Sequence, residues 1–275
     1  KILDVGNKNE VLVPSLTYIS TVNSTIYNGA VPHFYDVSLD TMSVDITKLQ
    51  NYLYKNTKII DEKCINKKTG RQIKALIVVH INGLCCDMTR LIKILKKYHI
   101  LLVEDAAEAL GSTFKKKALG TFGHVGVFSF NGNKIITTGG GGALVAKNTD
   151  TFRKALKLAY NCKIVKKNFD ITFSAVGYNY AMPSLNASLG ISQLAKLNNL
   201  IKNKKKIFQY YIKNLDGDDF EIIKPIKHCK SNFWLTTLRI KNKSLKKIDL
   251  IKIFNSKNFL VKGFWEPIHK LKHFK

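Results

Sequence analysis

Ala75-Leu76-Ile77-Val78-Val79-His80-Ile81, followed by Met88 to Tyr98 and then by Ile100-Leu101-Leu102-Val103-Glu104-Asp105, is the stretch that decides the fold. A short apolar run, a segment of helical apolar spacing and a second apolar run make a β-α-β unit, and such units build a largely parallel sheet. The second strand runs straight into Glu104-Asp105, and open α/β sheets bind ligands beyond the carboxyl ends of their strands. Upstream, Val11 to Val13 and Val31 to Tyr35 read as strands, Tyr18 to Tyr27 as a helix, and Asp45 to Tyr54 as a helix with an aspartate N-cap. Downstream, Val125 to Phe130 and Gly142 to Ala146 read as strands and Asp150 to Leu158 as a helix. Pro183 opens an amphipathic helix to about Asn203 on Leu185, Leu189, Leu194, Leu197 and Leu200. The chain then turns lysine-rich, with short strands such as Asn232 to Ile240. A division into 1–203 and 204–275 is expected. Asp61 to Lys74 reads as a solvated loop.

One lysine stands apart from the rest. Lys134 closes Phe128-Ser129-Phe130-Asn131-Gly132-Asn133-Lys134 and is followed by Thr137-Thr138 and four glycines, Gly139 to Gly142. Glycine lets a backbone approach a ligand closely, and a lysine amine forms a Schiff base with an aldehyde. Of 45 basic residues only Arg71, Arg90, Arg153 and Arg239 are arginines, leaving 41 lysines, so an arbitrary lysine here is a surface lysine. Lys115-Lys116-Lys117, Lys166-Lys167 and Lys204-Lys205-Lys206 read as solvated faces. Lys134 alone has aromatic, small and glycine neighbours.

The net charge of +26 would suit nucleic acid. Arginine, the residue best shaped for bidentate phosphate and guanine contacts, is scarce, and the lysines are spread along the chain. No nucleic-acid partner is therefore expected. Five cysteines without a CxxC pair argue against a disulfide framework and for reduced thiols in the cytoplasm. No apolar run approaches the roughly 20 residues of a membrane span, so no membrane partner is expected.

Four motifs then carry a resemblance. Val13-Pro14-Ser15-Leu16-Thr17-Tyr18-Ile19-Ser20-Thr21, Val103 to Ser112 around Asp105-Ala106-Ala107-Glu108, Gly126 to Gly142, and Gly177-Tyr178-Asn179-Tyr180 resemble, in that order, the DegT/DnrJ-type sugar aminotransferases. The wording of Asn131 to Gly142 is most similar to the subgroup on the route to legionaminic-acid-like sugars. The resemblance implies a fold type I enzyme dependent on pyridoxal 5'-phosphate (PLP), with a three-layer α/β/α large domain, a mostly parallel sheet and a partial α+β small domain. It implies a cytoplasmic homodimer that moves an amine from glutamate to the 4-keto carbon of a nucleotide-linked deoxysugar.

The same resemblance gives each motif residue a role. Lys134 would join PLP covalently and shuttle a proton. Asp105 would pair with the pyridine nitrogen, Tyr18 would lie against the ring, and Ser129 would donate to the phosphate. Glu108 would orient the cofactor or substrate hydroxyl region, and Asn179 would reach the phosphate held by a neighbouring subunit. Plain alternatives exist: Asp105 as a helix cap, Tyr18 as a core aromatic, Ser129 as packing, and His80 as a structural histidine rather than a substrate contact. Relatives with histidine in place of the lysine remove a hydroxyl instead, so Lys134 implies transamination. The motifs lack the family's glycine-turn segment before Val5 and its last elements, and Ala181 stands where arginine is expected, so an internal fragment is expected. Competing readings are a catalytically idle regulatory protein of the same fold and a basic nucleic-acid binder.

Overall fold

A computed structural model describes residues 1–274. The strands and helices of the first half are β1 (Asn9–Pro14), α1 (Ile19–Ile26), β2 (Val31–Tyr35), α2 (Ile46–Asn56), β3 (Thr57–Ile60), β4 (Lys63–Asn66), β5 (Gln72–Val79), α3 (Met88–Lys97) and β6 (Leu101–Asp105). Then come the short β7 (Thr113–Phe114) and β8 (Lys117–Ala118), β9 (Val125–Ser129), β10 (Gly142–Ala146), α4 (Thr149–Ala159), β11 (Lys163–Val165), β12 (Ile171–Phe173) and α5 (Ser184–Leu215). The remainder holds β13 (Phe220–Ile222), β14 (Cys229–Lys230), β15 (Leu238–Ile240) and α6 (Lys247–Ser256).

The central sheet runs β10-β9-β6-β5-β1-β2, parallel throughout except for the antiparallel β10, with the β3-β4 hairpin attached to β5. Period-two alternation divides its side chains between two cores. Leu12, Leu76, Val78 and Leu102 face α2 and α3, where Leu49, Leu53, Leu91 and Leu95 are buried. Val11, Val13, Ala75, Ile77 and Val79 face Val22 of α1 together with Ile223 and Ile268 from the far end of the chain. Each fully buried Leu or Ile contributes on the order of 1.5–3 kcal/mol. The mostly parallel α/β sheet read from the sequence is therefore the fold.

Local chemistry explains the element starts. Asp45 caps α2 as expected, its carboxylate accepting from the Lys48 N–H at 3.0 Å, and Asp87 and Asn148 cap α3 and α4 in the same way. Four expectations need correction. The Asp61 to Lys74 stretch is not one loop: it holds β4 and the first residues of β5, and Asp61 and Glu62, both with left-handed φ (+46° and +57°), close a two-residue hairpin between β3 and β4. β5 stops at Val79, where the His80 N–H turns to the Asp105 carbonyl (3.0 Å) and Asn82 goes left-handed (φ +52°). Asn232 to Ile240 is a strand only from Leu238. Helix α5, expected to end near Asn203, runs on without a break to Leu215. Its leucine face is largely open as well, with Leu185 84% and Leu194 55% exposed.

The amino edge of the sheet carries a closed polar cluster. Glu10 on β1 is buried and accepts from Thr69 (2.5 Å), Asn66 (2.9 Å) and His33 (2.8 Å). Burial pushes its carboxyl up, but bonds from His33, Thr69 and Asn66 outweigh that and hold its pKa at about 2.

Candidate active site

At the carboxyl edge four parallel strands deliver the residues singled out by the sequence. Thr17 and Tyr18 follow β1, His80 follows β5, Asp105 ends β6 and Ser129 ends β9, with Asp105 in register with Val127. Lys134 lies in the loop after β9, 14% exposed, its amine 3.7 Å from Glu108 Oε1. Two of the four following glycines, Gly139 (φ +77°) and Gly141 (φ +102°), take conformations that side chains disfavour and turn the chain into β10. That turn returns the Phe130 N–H to the Gly141 carbonyl at 3.0 Å. The glycine run therefore serves the loop's own shape.

Asp105 is held from two sides. Its Oδ1 accepts the Ala107 N–H at 3.1 Å, so the capping reading is partly realised. Its Oδ2 accepts the Thr21 hydroxyl at 2.7 Å, and since that hydroxyl has one hydrogen, Thr17 must donate to Thr21 at 2.9 Å. Each carboxylate oxygen keeps acceptor capacity for a further donor.

Glu104 beside it is completely buried and accepts N–H bonds from Gly120 (2.8 Å), Phe122 (2.5 Å) and Gly123 (2.6 Å). Burial works to raise its pKa, but His80 at 2.9 Å and these amides hold it below the usual carboxylate range. An ionised carboxylate has no proton to give, so His80 Nε2 is the donor. Nδ1 is buried without a partner, and the ring is closed to solvent. Of the two readings of His80, the structural one applies.

Glu108 has the opposite balance. Burial raises its pKa, opposed by the Asn82 N–H at 2.8 Å and the nearby Lys134. The indole of Trp234 lies under Lys134, 4.5 Å from amine to ring centroid, and its N–H donates to the Asn133 carbonyl at 2.8 Å. Asn232, also buried, ties this segment down by donating to the carbonyls of Glu108 (2.9 Å) and Leu110 (3.0 Å). Gly83 makes room for it, because a Cβ there would lie 2.2 Å from Asn232 Oδ1. Sequence reasoning missed Thr21, Asn82, Asn232 and Trp234. Thr21 lies in the first turn of α1, four residues after Thr17, which precedes the helix. For Trp234 the signal was an indole two residues after Asn232, one of two in a lysine-rich tail.

Two expected residues stand outside this cluster. Tyr18 is 58% exposed and meets the edge of Trp265 at 6.0 Å, since it precedes the first turn of α1 at the rim of the sheet. It is therefore not a core aromatic. Asn179 is exposed and bridges to Tyr160, with no hydrogen bond to Lys134, Asp105 or Ser129.

The family profile described as the DegT/DnrJ/EryC1/StrS aminotransferase family matches residues 1–275. The chain is 33% identical over 236 residues to GDP-perosamine synthase of Escherichia coli O157:H7, covering 86% of this chain and 60% of that protein. It is 33% identical over 223 residues to UDP-4-amino-4,6-dideoxy-N-acetyl-beta-L-altrosamine transaminase of Campylobacter jejuni, covering 81% and 55%. In fold it is similar to the aminotransferase TlmJ of Streptoalloteichus hindustanus, with a TM-score of 0.87 and 24% identity over 100% of this chain and 70% of that one. These relatives do not single out the legionaminic-acid subgroup, and the profile match does not bear out the internal-fragment expectation. The chain spans about two thirds or less of the length of the curated relatives it matches first. With Lys134, Asp105 and Ser129 gathered at the carboxyl edge and the match running from end to end, the chain belongs to the DegT/DnrJ/EryC1/StrS aminotransferase family.

Proposed function

We propose that this chain carries the catalytic core of a PLP-dependent aminotransferase that moves an amine from glutamate to the 4-keto carbon of a nucleotide-linked deoxysugar. The observation that supports it best is the Lys134 amine, sheltered at the carboxyl edge of the sheet with Glu108 at 3.7 Å and no closer ionic partner. The donor set fits the cofactor: a sheltered primary amine, a carboxylate with spare acceptor capacity at Asp105, and a hydroxyl at Ser129 on the next strand. When bound, PLP supplies an aldehyde and an electron-accepting pyridine ring.

The chain's own residues do the rest. Lys134 would hold PLP through its aldehyde and would move a proton at Nζ. Asp105, fixed by Thr21 and Ala107, would pair with the ring nitrogen. Ser129 would donate to the phosphate, Tyr18 at the rim would lie against the ring, and Glu108 would receive a hydroxyl of cofactor or substrate. Asn179, exposed and bridged to Tyr160, would serve the phosphate held by a second copy, which would make the working unit a homodimer. The division into a PLP-binding domain and a smaller C-terminal one belongs to the same proposal, with its break moved to the end of α5.

Mixing the chain with PLP, reducing with borohydride and mapping peptides by mass tests this reading. The pyridoxyl group is expected on Lys134. A label on another lysine, or none, would remove the cofactor assignment.

A further inference from the structure

The reading above leaves unexplained why a segment almost a hundred residues downstream of Lys134 is built into its loop. Trp234 is 7% exposed, and its ring faces the Lys134 amine while its N–H is fixed on the neighbouring Asn133 carbonyl. The backbone bends hard to achieve this. Phe233, a bulky residue, takes left-handed φ (+53°) immediately before Trp234, and its ring packs on Phe208 of α5 at 4.7 Å. Ser231 donates to the Asn82 carbonyl (3.2 Å), Asn82 donates to Thr237 (2.7 Å), and the Asn82 N–H holds Glu108. One short segment thus fixes both neighbours of the lysine amine, the indole face directly and the carboxylate through Asn82.

We propose that Trp234 is a positioning residue for Lys134: its indole face, with Glu108 opposite, is the resting place of the free lysine amine. This rests on the assignment of Lys134 as the cofactor lysine, whose amine must be free for part of each turnover and must then return to the same point. An aromatic face attracts an ammonium, so it holds the free amine at a fixed point that Glu108 also reaches. The segment belongs to the C-terminal part of the chain, so docking of that part places the lysine.

Competitive acetylation of the PLP-free chain, with peptide mapping against exposed lysines such as Lys166, reads this contact without any turnover. Trp234→Leu is expected to raise the relative reactivity of Lys134 by about threefold or more, and Trp234→Phe, which keeps an aromatic face, to stay near wild type. Wild-type reactivity in the Leu variant, or equal reactivity in both variants, would overturn the proposal. If Trp234→Leu does not fold, Trp265→Phe leaves Trp234 as the sole indole, and adding Lys134→Met should change its emission by removing the ammonium from its face. Unchanged emission would equally defeat it. PLP fixed by borohydride on another lysine, with Lys134 still shielded by Trp234, would fail the cofactor reading while leaving the contact intact.

Discussion

At the amino edge of the sheet Glu10 accepts from His33, Asn66 and Thr69, and its pKa falls to about 2. At the carboxyl edge Glu108 is also buried but receives one backbone N–H and a lysine amine no closer than 3.7 Å, and burial carries its pKa up. The same side chain is fully satisfied beside one edge of the sheet and short of donors in the turn beyond the other. A satisfied buried carboxylate spends its interactions on holding strands together; an undersupplied one keeps capacity for a ligand and a lysine. Glu104 shows that the contrast concerns function rather than edge, since it lies at the carboxyl end and is saturated by His80 and three amides.

The largest effects should come from the carboxyl edge. Lys134→Ala is expected to abolish transamination with the melting temperature within a few degrees of wild type, because only a sheltered amine is lost. Asp105→Asn should lower turnover by about a thousandfold or more, since an amide cannot hold a proton on a ring nitrogen as a carboxylate does. Near-wild-type kcat in the Asn variant would reduce Asp105 to a cap for Ala107.

Glu104→Gln should show the reverse profile. An amide presents one oxygen where the carboxylate presents two, leaving an NH2 against the Gly120 N–H or against those of Phe122 and Gly123. Urea unfolding should register a loss of about 3–5 kcal/mol, the scale for breaking a buried charged pair. A loss below about 1 kcal/mol would mean that the His80–Glu104 pair is not what anchors the loop from Gly120 to Gly123.

The contrast between the edges was only half legible in the sequence. Apolar runs and cap residues are local signals, and they located every strand of the parallel sheet and the starts of α2 and α3 to within a few residues. Asp105, Ser129 and Lys134 could be expected at the carboxyl edge because each ends or follows a strand that could be read. The misreadings all have a tertiary cause. Asp61 to Lys74 is rich in polar residues because its hairpin lies at the surface, so the sequence of a strand looked like that of a loop. Trp234 could not be placed, because a left-handed Phe233 and the space over Gly83 put it under a lysine a hundred positions earlier. The saturation of Glu10 likewise depends on Asn66 and Thr69, nearly sixty residues away.

The finest test of the comparison sets Glu10→Gln beside Glu108→Gln. A carboxyl whose folded pKa is depressed stabilises the protein above its unfolded value, and this is lost as pH falls from about 4.5 through about 2. Glu10→Gln should therefore cost about 2–3 kcal/mol at neutral pH, with the gap to wild type closing as the solution is acidified through that window. For Glu108 the sign reverses. A carboxyl whose folded pKa is raised leaves the native state holding more protons than the unfolded one, so wild-type stability falls as pH rises above the ordinary value of 4.5. Glu108→Gln removes that loss. Its stability should match wild type in acid and exceed it slightly at neutral pH, by under about 1 kcal/mol, the scale of a loosely made ion pair. Unfolding measured from pH 3 to pH 7 should thus give two difference curves of opposite slope. Curves of the same slope would mean that the Lys134 amine saturates Glu108 as completely as His33, Asn66 and Thr69 saturate Glu10, and the carboxyl edge would then hold no spare capacity at that residue.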